Sequence, residues 1–335
     1  MKSRRMAAAS IFLSTVGCGG SGAENAEPKN AEEANLLHPN AVEAPAAPSG
    51  FYVDPNSNPA IWVDAHGSDS RAASIRANIS TKPMARWFGN WSGDIGAAVS
   101  SYVGAAASHN QWPILVAYDI PGRDCGGHSS GGAGSVGAYR TWIATFAAGV
   151  GDRPAMVVLE PDALAQLDCL PNDTERTIRT DLLRYATEMF RDKAPSARVY
   201  LDAGHAAWIA APTMATRLHA AGIGNIRGFA INVSNYQTTS QSNAYGGSVN
   251  GSLSSQYGYT KSFVVDTSRN GNGSNGEWCN PPGRKLGAVS QFGGGADALL
   301  WLKVPGNSDG ECGIAPSTPA GIFNPTLADR LIQGT

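Results

Sequence analysis

The 335-residue chain has almost no net charge: 25 Lys and Arg stand against 27 Asp and Glu, a formal −2 at pH 7. No basic cluster breaks that balance, which excludes nucleic acid or an anionic membrane surface as a charge-recognised partner. Cysteine is scarce, five in all, and no two are spaced as Cys-x-x-Cys, so there is no zinc-type pair. The pair Asp202-x-x-His205 reads as a hydrogen-bonded contact; neither metal nor cofactor is expected. The N-terminal apolar run, Met6 to Val16, is too short to cross a bilayer as a stable helix. Large apolar side chains are nearly missing from residues 19 to about 50, which are rich in Ala, Glu, Asn and Pro. Such a stretch cannot bury enough surface to offset its ordering entropy, so a disordered tether is expected there.

The N-terminal run has a purpose of its own. Lys2, Arg4 and Arg5 precede it and Gly17-Cys18 ends it, the layout of an export signal over residues 1–18. The Gly-Cys pair matches a lipoprotein cleavage site with Cys18 lipidated. Thr15 stands where Leu is usual, so an ordinary cleaved signal is the alternative. Either way the protein is expected outside the cytoplasm, secreted or held at the cell surface by lipid at Cys18, and to act as a monomer. The other cysteines, at 125, 169, 279 and 312, suit two disulfides in an oxidising compartment. Of three connectivities we favour Cys125–Cys169 and Cys279–Cys312, because each then joins loops around adjacent strands.

From Phe51 to the end one formula repeats: a short apolar run, then a polar, Gly- and Pro-rich loop. It begins at Trp87-Phe88 and at 112–117, then recurs at 155–162, 198–205, 228–236, 263–269 and 299–306. Helical spacing of apolar residues fills the gaps at 95–109, 139–150, 175–193 and 212–221. Strands alternating with helices imply a parallel sheet. Polar residues gather after nearly every strand, which favours a β/α barrel of about seven strands over an open sheet. A barrel collects all its loops around one mouth at the C-terminal ends of the strands.

That mouth would carry Asp124, Asp162, Asp202 and Asp309, with Tyr118, Arg123, His205, Ser234 and Lys303. Among them lie Trp87, Trp91, Trp208, Trp278 and Trp301, in Gly- and Asn-rich surroundings poorly suited to core packing. Flat aromatic faces beside carboxylates suit sugar rings, whose C–H faces stack while their hydroxyls take hydrogen bonds. Two carboxyls, one protonated and one polarising water, are what glycosidic hydrolysis requires.

Six motifs then carry a resemblance. They are Tyr-x-x-Pro-Gly-Arg-Asp-Cys-Gly (118–126), Glu-Pro-Asp (160–162), Asp-Ala-Gly-His-x-x-Trp (202–208), Asn-x-Ser-Asn-Tyr (232–236), Asp-Thr-Ser-Arg-Asn-Gly-Asn-Gly (266–273) and Trp-x-Lys-x-Pro-Gly-x-x-Asp-Gly (301–310). In order and spacing the chain resembles the family-6 glycoside hydrolases, cellulases that cut β-1,4-glucan with inversion. The resemblance implies a distorted seven-stranded β/α barrel over residues 51–335. It implies Asp162 as general acid, and Asp124 as the neighbouring carboxylate that keeps the acid protonated and takes a proton from water. Tyr118 would crowd the distorted sugar, and Trp87, Trp208 and Trp301 would be sugar platforms. Asp202, Lys303 and Asp309 would surround the cleavage centre, with Asp309 a candidate base. Arg123, His205, Ser234 and Asn235 complete the expected substrate contacts. One departure stands out: Asn307 occupies a position where the family usually has Glu.

Within such a family, chain-end enzymes roof the site with long loops and internal cutters leave it open. The segments 234–263 and 278–299 are where a roof would sit. The second is moderate in length, Gly- and Pro-rich and without a large apolar anchor, so internal cutting is expected over chain-end release. Two readings from other classes compete. Gly127-His128-Ser129-Ser130-Gly131 fits the serine-hydrolase elbow Gly-x-Ser-x-Gly, but no strand leads directly into it and no well-placed late His completes a triad. A non-catalytic glucan-binding lipoprotein is the other, motivated by the tether and by Asn307.

Overall fold

The structure, a computed structural model, describes residues 48–335. The expected export signal, Cys18 and nearly all of the tether lie outside the described residues. Ser49 and Gly50, at the end of that tether, already join the domain: the Ser49 N–H donates to Asn110, and the Gly50 carbonyl accepts from Trp112.

The parallel strands are short and largely apolar because both their faces are covered. The strands are β1 (Arg86–Phe88), β2 (Ile114–Ala117), β3 (Ala155–Leu159), β4 (Ala197–Asp202), β5 (Gly228–Ile231), β6 (Ser262–Asp266), β7 (Gln291–Phe292) and β8 (Ala298–Leu300). They form one sheet in the order β1-β2-β3-β4-β5-β6-β8-β7. All neighbours are parallel except the two-residue β7, which runs antiparallel along β8. The seven parallel strands are the ones read from the sequence; β7 is an addition.

Side chains alternate across the sheet. On β2, Ile114 and Val116 point into the barrel beside Met156, Val158 and Tyr200, whereas Leu115 and Ala117 face outward with Val157 and Leu201. Every such fully buried Val or Leu contributes about 1.5–3 kcal/mol relative to exposure. The barrel is not closed by a ladder. Between the β1 and β8 sides the Ala85 N–H donates to the Trp301 carbonyl at 2.9 Å, and the Trp87 indole N–H donates to Leu302 at 2.7 Å.

The helices covering the outer face are α1 (Asn58–Ala65), α2 (Ala72–Ile75, continuing through a π turn to Ser80), α3 (Ile95–Ser108), α4 (Val136–Val150), α5 (Asp173–Lys193), α6 (Ala211–Ala220), α7 (Thr239–Tyr257) and α8 (Pro325–Gln333). Side chains of Asp94, Ser135 and Asn172 cap α3, α4 and α5 by accepting N–H bonds in the first turn. Helix α7 corrects the sequence reading, which treated 234–263 as a place for roofing loops. Its residues are mostly Ser, Asn and Gly, so it carries little amphipathic signal. A capping box of Thr238 and Gln241 starts it, and Tyr245, Val249 and Leu253 bury one face. Gly246 lets it approach β6: a Cβ there would lie 2.7 Å from the Phe263 ring.

Candidate active site

The C-terminal strand ends share one device: a buried carboxylate accepts backbone N–H groups from a neighbouring loop. Asp202, ending β4, accepts from Asp162 at 2.9 Å and Gly204 at 3.1 Å. Asp266, ending β6, accepts from Ser234, Ser268 and Lys303 at 2.9, 2.9 and 3.0 Å. Glu160, just past β3, accepts from Asp119 and Ile120, both at 2.9 Å. Turning the chain this sharply puts non-glycine residues in the left-handed region, Asp162 at φ +69° and Ser234 at φ +58°.

These loops line a cleft of about 960 Å³. Tyr118, Arg123, Asp124, Asp162, His205, Ser234, Asn235, Lys303 and Asp309 all border it, with Trp87, Trp91, Trp208 and Trp278 among its walls. Trp91, Trp208 and Trp278 are 55 %, 39 % and 57 % exposed, so three flat indole faces are open to solvent along one groove. Tyr118 packs edge-to-face on Trp87 with ring centroids 5.3 Å apart, and the Arg123 guanidinium sits 4.8 Å from the Tyr118 ring and 5.0 Å from that of Trp91.

The two acid/base candidates differ in surroundings. Burial pushes the Asp162 carboxyl well above the usual carboxylate range; Asp202 and Asp124 push the same way, and Lys303 only partly opposes them. Such surroundings favour the protonated form, the one a general acid must hold. Asp124 accepts the Ser129 N–H at Oδ2 (2.7 Å), while Oδ1 has only a long contact, 3.4 Å, from the Gln166 amide. One lone-pair face of Asp124 therefore stays available. Burial lowers His205 to about 4, so its ring is neutral, and its Nδ1 accepts the Ala207 N–H at 3.2 Å.

Asp309 is the opposite of Asp162. Its Oδ1 pairs with Lys303 Nζ at 3.0 Å, and its Oδ2 with Arg269 Nη1 at 2.8 Å. Tyr236 OH and the Asn280 N–H also donate to Oδ2, each at 3.1 Å. Burial alone would raise its pKa, but the two cations override it and hold the carboxyl well below the usual range. The Lys303 ammonium is lowered by burial, with Asp309 opposing.

The profile of the family described as "Glycosyl hydrolases family 6" matches residues 47–335. The chain belongs to that family. It is 54 % identical over 287 residues to "Endoglucanase 1" of Streptomyces halstedii, covering 85 % of this chain and 89 % of that protein. "Endoglucanase A" of Cellulomonas fimi is 47 % identical over 281 residues, 82 % of this chain and 59 % of that one. Among solved structures, the endoglucanase Cel6 of Mycobacterium tuberculosis, in complex with methyl-cellobiosyl-4-deoxy-4-thio-β-D-cellobioside, superposes with a TM-score of 0.78 at 39 % identity. That match covers 87 % of this chain and 98 % of the other. The protein is thus a glycoside hydrolase, and its family fold is the distorted barrel described above.

Against the family expectation, two residues sit elsewhere. Trp301 is no sugar platform: it is 1 % exposed and packs among Val63, Ile75, Ile79 and Met84. Its indole N–H donates to the Ala288 carbonyl at 2.8 Å. Facing the core from the barrel seam, the ring cannot stack on a ligand. Asp202 is buried behind the cleft wall, and its contact is with the Asp162 backbone, not with the groove. Asn307 does border the groove, where its Oδ1 accepts the Asn58 amide at 3.3 Å, so this edge is neutral.

The disulfides pair Cys125 with Cys169 and Cys279 with Cys312, the pairs set out from the sequence. His128 lies beside the second, but both sulfurs there are bonded to each other and are not free as metal ligands. The Gly127–Gly131 segment follows a 3₁₀ turn, Asp124–Gly126, rather than a strand, and among the described residues no His hydrogen-bonds the Ser129 hydroxyl. Sequence reading missed Arg269, Tyr236 and Asn280 as partners of Asp309. It also left Glu160 without a role, although Arg269 and Glu160 both fall inside quoted motifs at strand ends.

Proposed function

We propose that the protein cuts internal β-1,4 bonds of cellulose or a related β-glucan with inversion, Asp162 acting as general acid. The placement of Asp162 in an aromatic-walled cleft, where burial and neighbouring carboxylates raise its pKa, carries this reading. As the bond between C1 and the leaving oxygen breaks, Asp162 passes its proton to that oxygen, and water attacks C1 from the opposite face, forming the new C–O bond and quenching the positive charge that develops there. Asp124, with Oδ1 available, receives the proton of that water, directly or through a second water. Asp309 is less suited to be the base, because both oxygens are engaged by Lys303, Arg269, Tyr236 and Asn280. It serves as fixed charge beside the reacting centre. Tyr118, held by Arg123 and Trp87, shapes the sugar site, and Trp87, Trp208 and Trp278 carry glucosyl units.

Internal cleavage is supported by the solvent-open indoles along the groove and by the relatives named endoglucanase. A chain can enter such a groove from the side. The protein works as a monomer outside the cytoplasm, released or lipid-anchored at Cys18. Proton NMR of cellohexaose hydrolysis, run with carboxymethyl-cellulose viscometry, tests the proposal. The α-anomer should appear first, and viscosity should fall well before much reducing sugar forms. A first-formed β-anomer, or viscosity that persists while cellobiose accumulates, overturns it.

A further inference from the structure

One buried carboxyl has no part in the chemistry above. Glu160 is 1 % exposed and sits just past β3 with φ +50°, a strained conformation for Glu. Its Oε2 takes the N–H groups of Asp119 and Ile120, the first two residues after Tyr118. The same turn is held from the other side by Arg179 of α5, whose Nη2 donates to the carbonyls of Pro121 and Gly122, each at 3.0 Å. A carboxyl thus grips two amides and a guanidinium grips two carbonyls in four consecutive residues. Arg123 and Asp124 follow directly.

Stability does not account for this arrangement. Glu160 Oε1, Arg179 Nη1 and the Tyr139 hydroxyl are all buried without a hydrogen-bond partner among the described residues. Buried polar groups left partly unsatisfied are commonly no better for stability than apolar side chains of the same size. What the two side chains do supply is position. Asp124 lies in a loop, at φ +58°, and its carboxyl has little to locate it besides the Ser129 amide. Where its backbone enters that loop is fixed by the turn at 119–122.

We infer that Glu160 and Arg179 form a clamp on residues 119–122 that positions Asp124 for catalysis. They are positioning residues, out of reach of substrate. The inference rests on the reading of Asp124 as proton acceptor and Asp162 as acid. Burial raises Glu160 to about 8; the amides of Ile120 and Asp119 oppose this, and the Asp119 charge adds to it. Its working form is therefore the neutral acid, which Gln imitates, since an amide oxygen can still accept both N–H groups.

Steady-state kinetics on cellohexaose provides the test, with near-UV circular dichroism to confirm folding. Glu160→Ala should lower kcat about 10- to 100-fold, the cost of a misplaced catalytic group, and leave KM within about twofold. Glu160→Gln should recover most of that loss at pH 6. The double variant Glu160→Ala/Asp124→Asn should be no worse than Asp124→Asn alone, because the clamp acts through Asp124. Wild-type kcat in folded Glu160→Ala, no recovery with Gln, or fully additive losses in the double variant each overturn the inference. If Glu160→Ala does not fold, Arg179→Met carries the same kcat and non-additivity test. Asp162→Asn, run alongside, separates the two levels: full activity in that variant refutes the acid assignment, whatever Glu160 does.

Discussion

Asp309→Asn keeps the shape of the site and removes one charge. Arg269 and Lys303 would then face each other across a buried amide with no anion between them. Breaking a buried pair by removing one partner costs about 3–5 kcal/mol. At roughly 2–4 °C per kcal/mol for a domain of this size, Tm should fall on the order of 10 °C at pH 7. The sign of the pH dependence follows from linkage. The folded Asp309 carboxyl lies below its unfolded value of about 3.9, so its contribution is present above that pH and drains away as pH falls. The Tm gap between wild type and variant should therefore narrow below about pH 4. Activity should shift as well. Burial, Asp202 and Asp124 raise Asp162, Lys303 lowers it and Asp309 adds to the rise, so removing Asp309 takes away one of the raising influences while that of Lys303 stays. The Asp162 pKa drops, and the alkaline limb of the rate profile moves to lower pH. Calorimetry across pH 3–7 and a pH–kcat profile measure both. An unchanged Tm and an unmoved alkaline limb would refute the ion-triad argument.

Three further outcomes follow from the same geometry. Trp278→Ala should raise KM for cellohexaose with little change in Tm, whereas Trp301→Ala should cost about 3–5 kcal/mol of stability, seen as a lower urea midpoint; the reverse pattern would restore Trp301 as a platform. Replacing Cys125 and Cys169 together by Ser removes a closed loop with a separation of 44 residues, worth about 4 kcal/mol on a chain-entropy basis, and should depress kcat because the bridge ties the Asp124 loop to the loop after β3. Metabolic labelling of the full-length chain with palmitate in a bacterial host should mark the wild type and not Cys18→Ser; label in both, or in neither, argues against an anchor at that cysteine.

The barrel was legible because strands buried on both faces read as unbroken apolar runs, and helices such as α5 carry a clear amphipathic period. Helix α7 escaped because its buried face is built from Ser, Tyr, Gly, Val and Leu among Ser and Asn, so capping and a close glycine contact define it. Residues that touch the groove were visible as polar or aromatic punctuation after each strand. Trp301 shows the limit of that rule: a Trp at a strand end reads as a platform, but here the ring turns inward beneath the barrel seam. Groups acting from behind were hidden for a related reason. Glu160, Asp266 and Arg269 lie close to mouth residues in sequence, and only folding reveals that their side chains hold other segments in place.

The central claim is that Asp162 gives the proton that releases the leaving sugar. Its most direct measurement compares Asp162→Asn with wild type on cellohexaose and on a dinitrophenyl cello-oligosaccharide, whose leaving group needs no protonation. The account predicts a loss of several orders of magnitude in kcat/KM on cellohexaose and a far smaller loss on the dinitrophenyl substrate. Equal losses on both would contradict it.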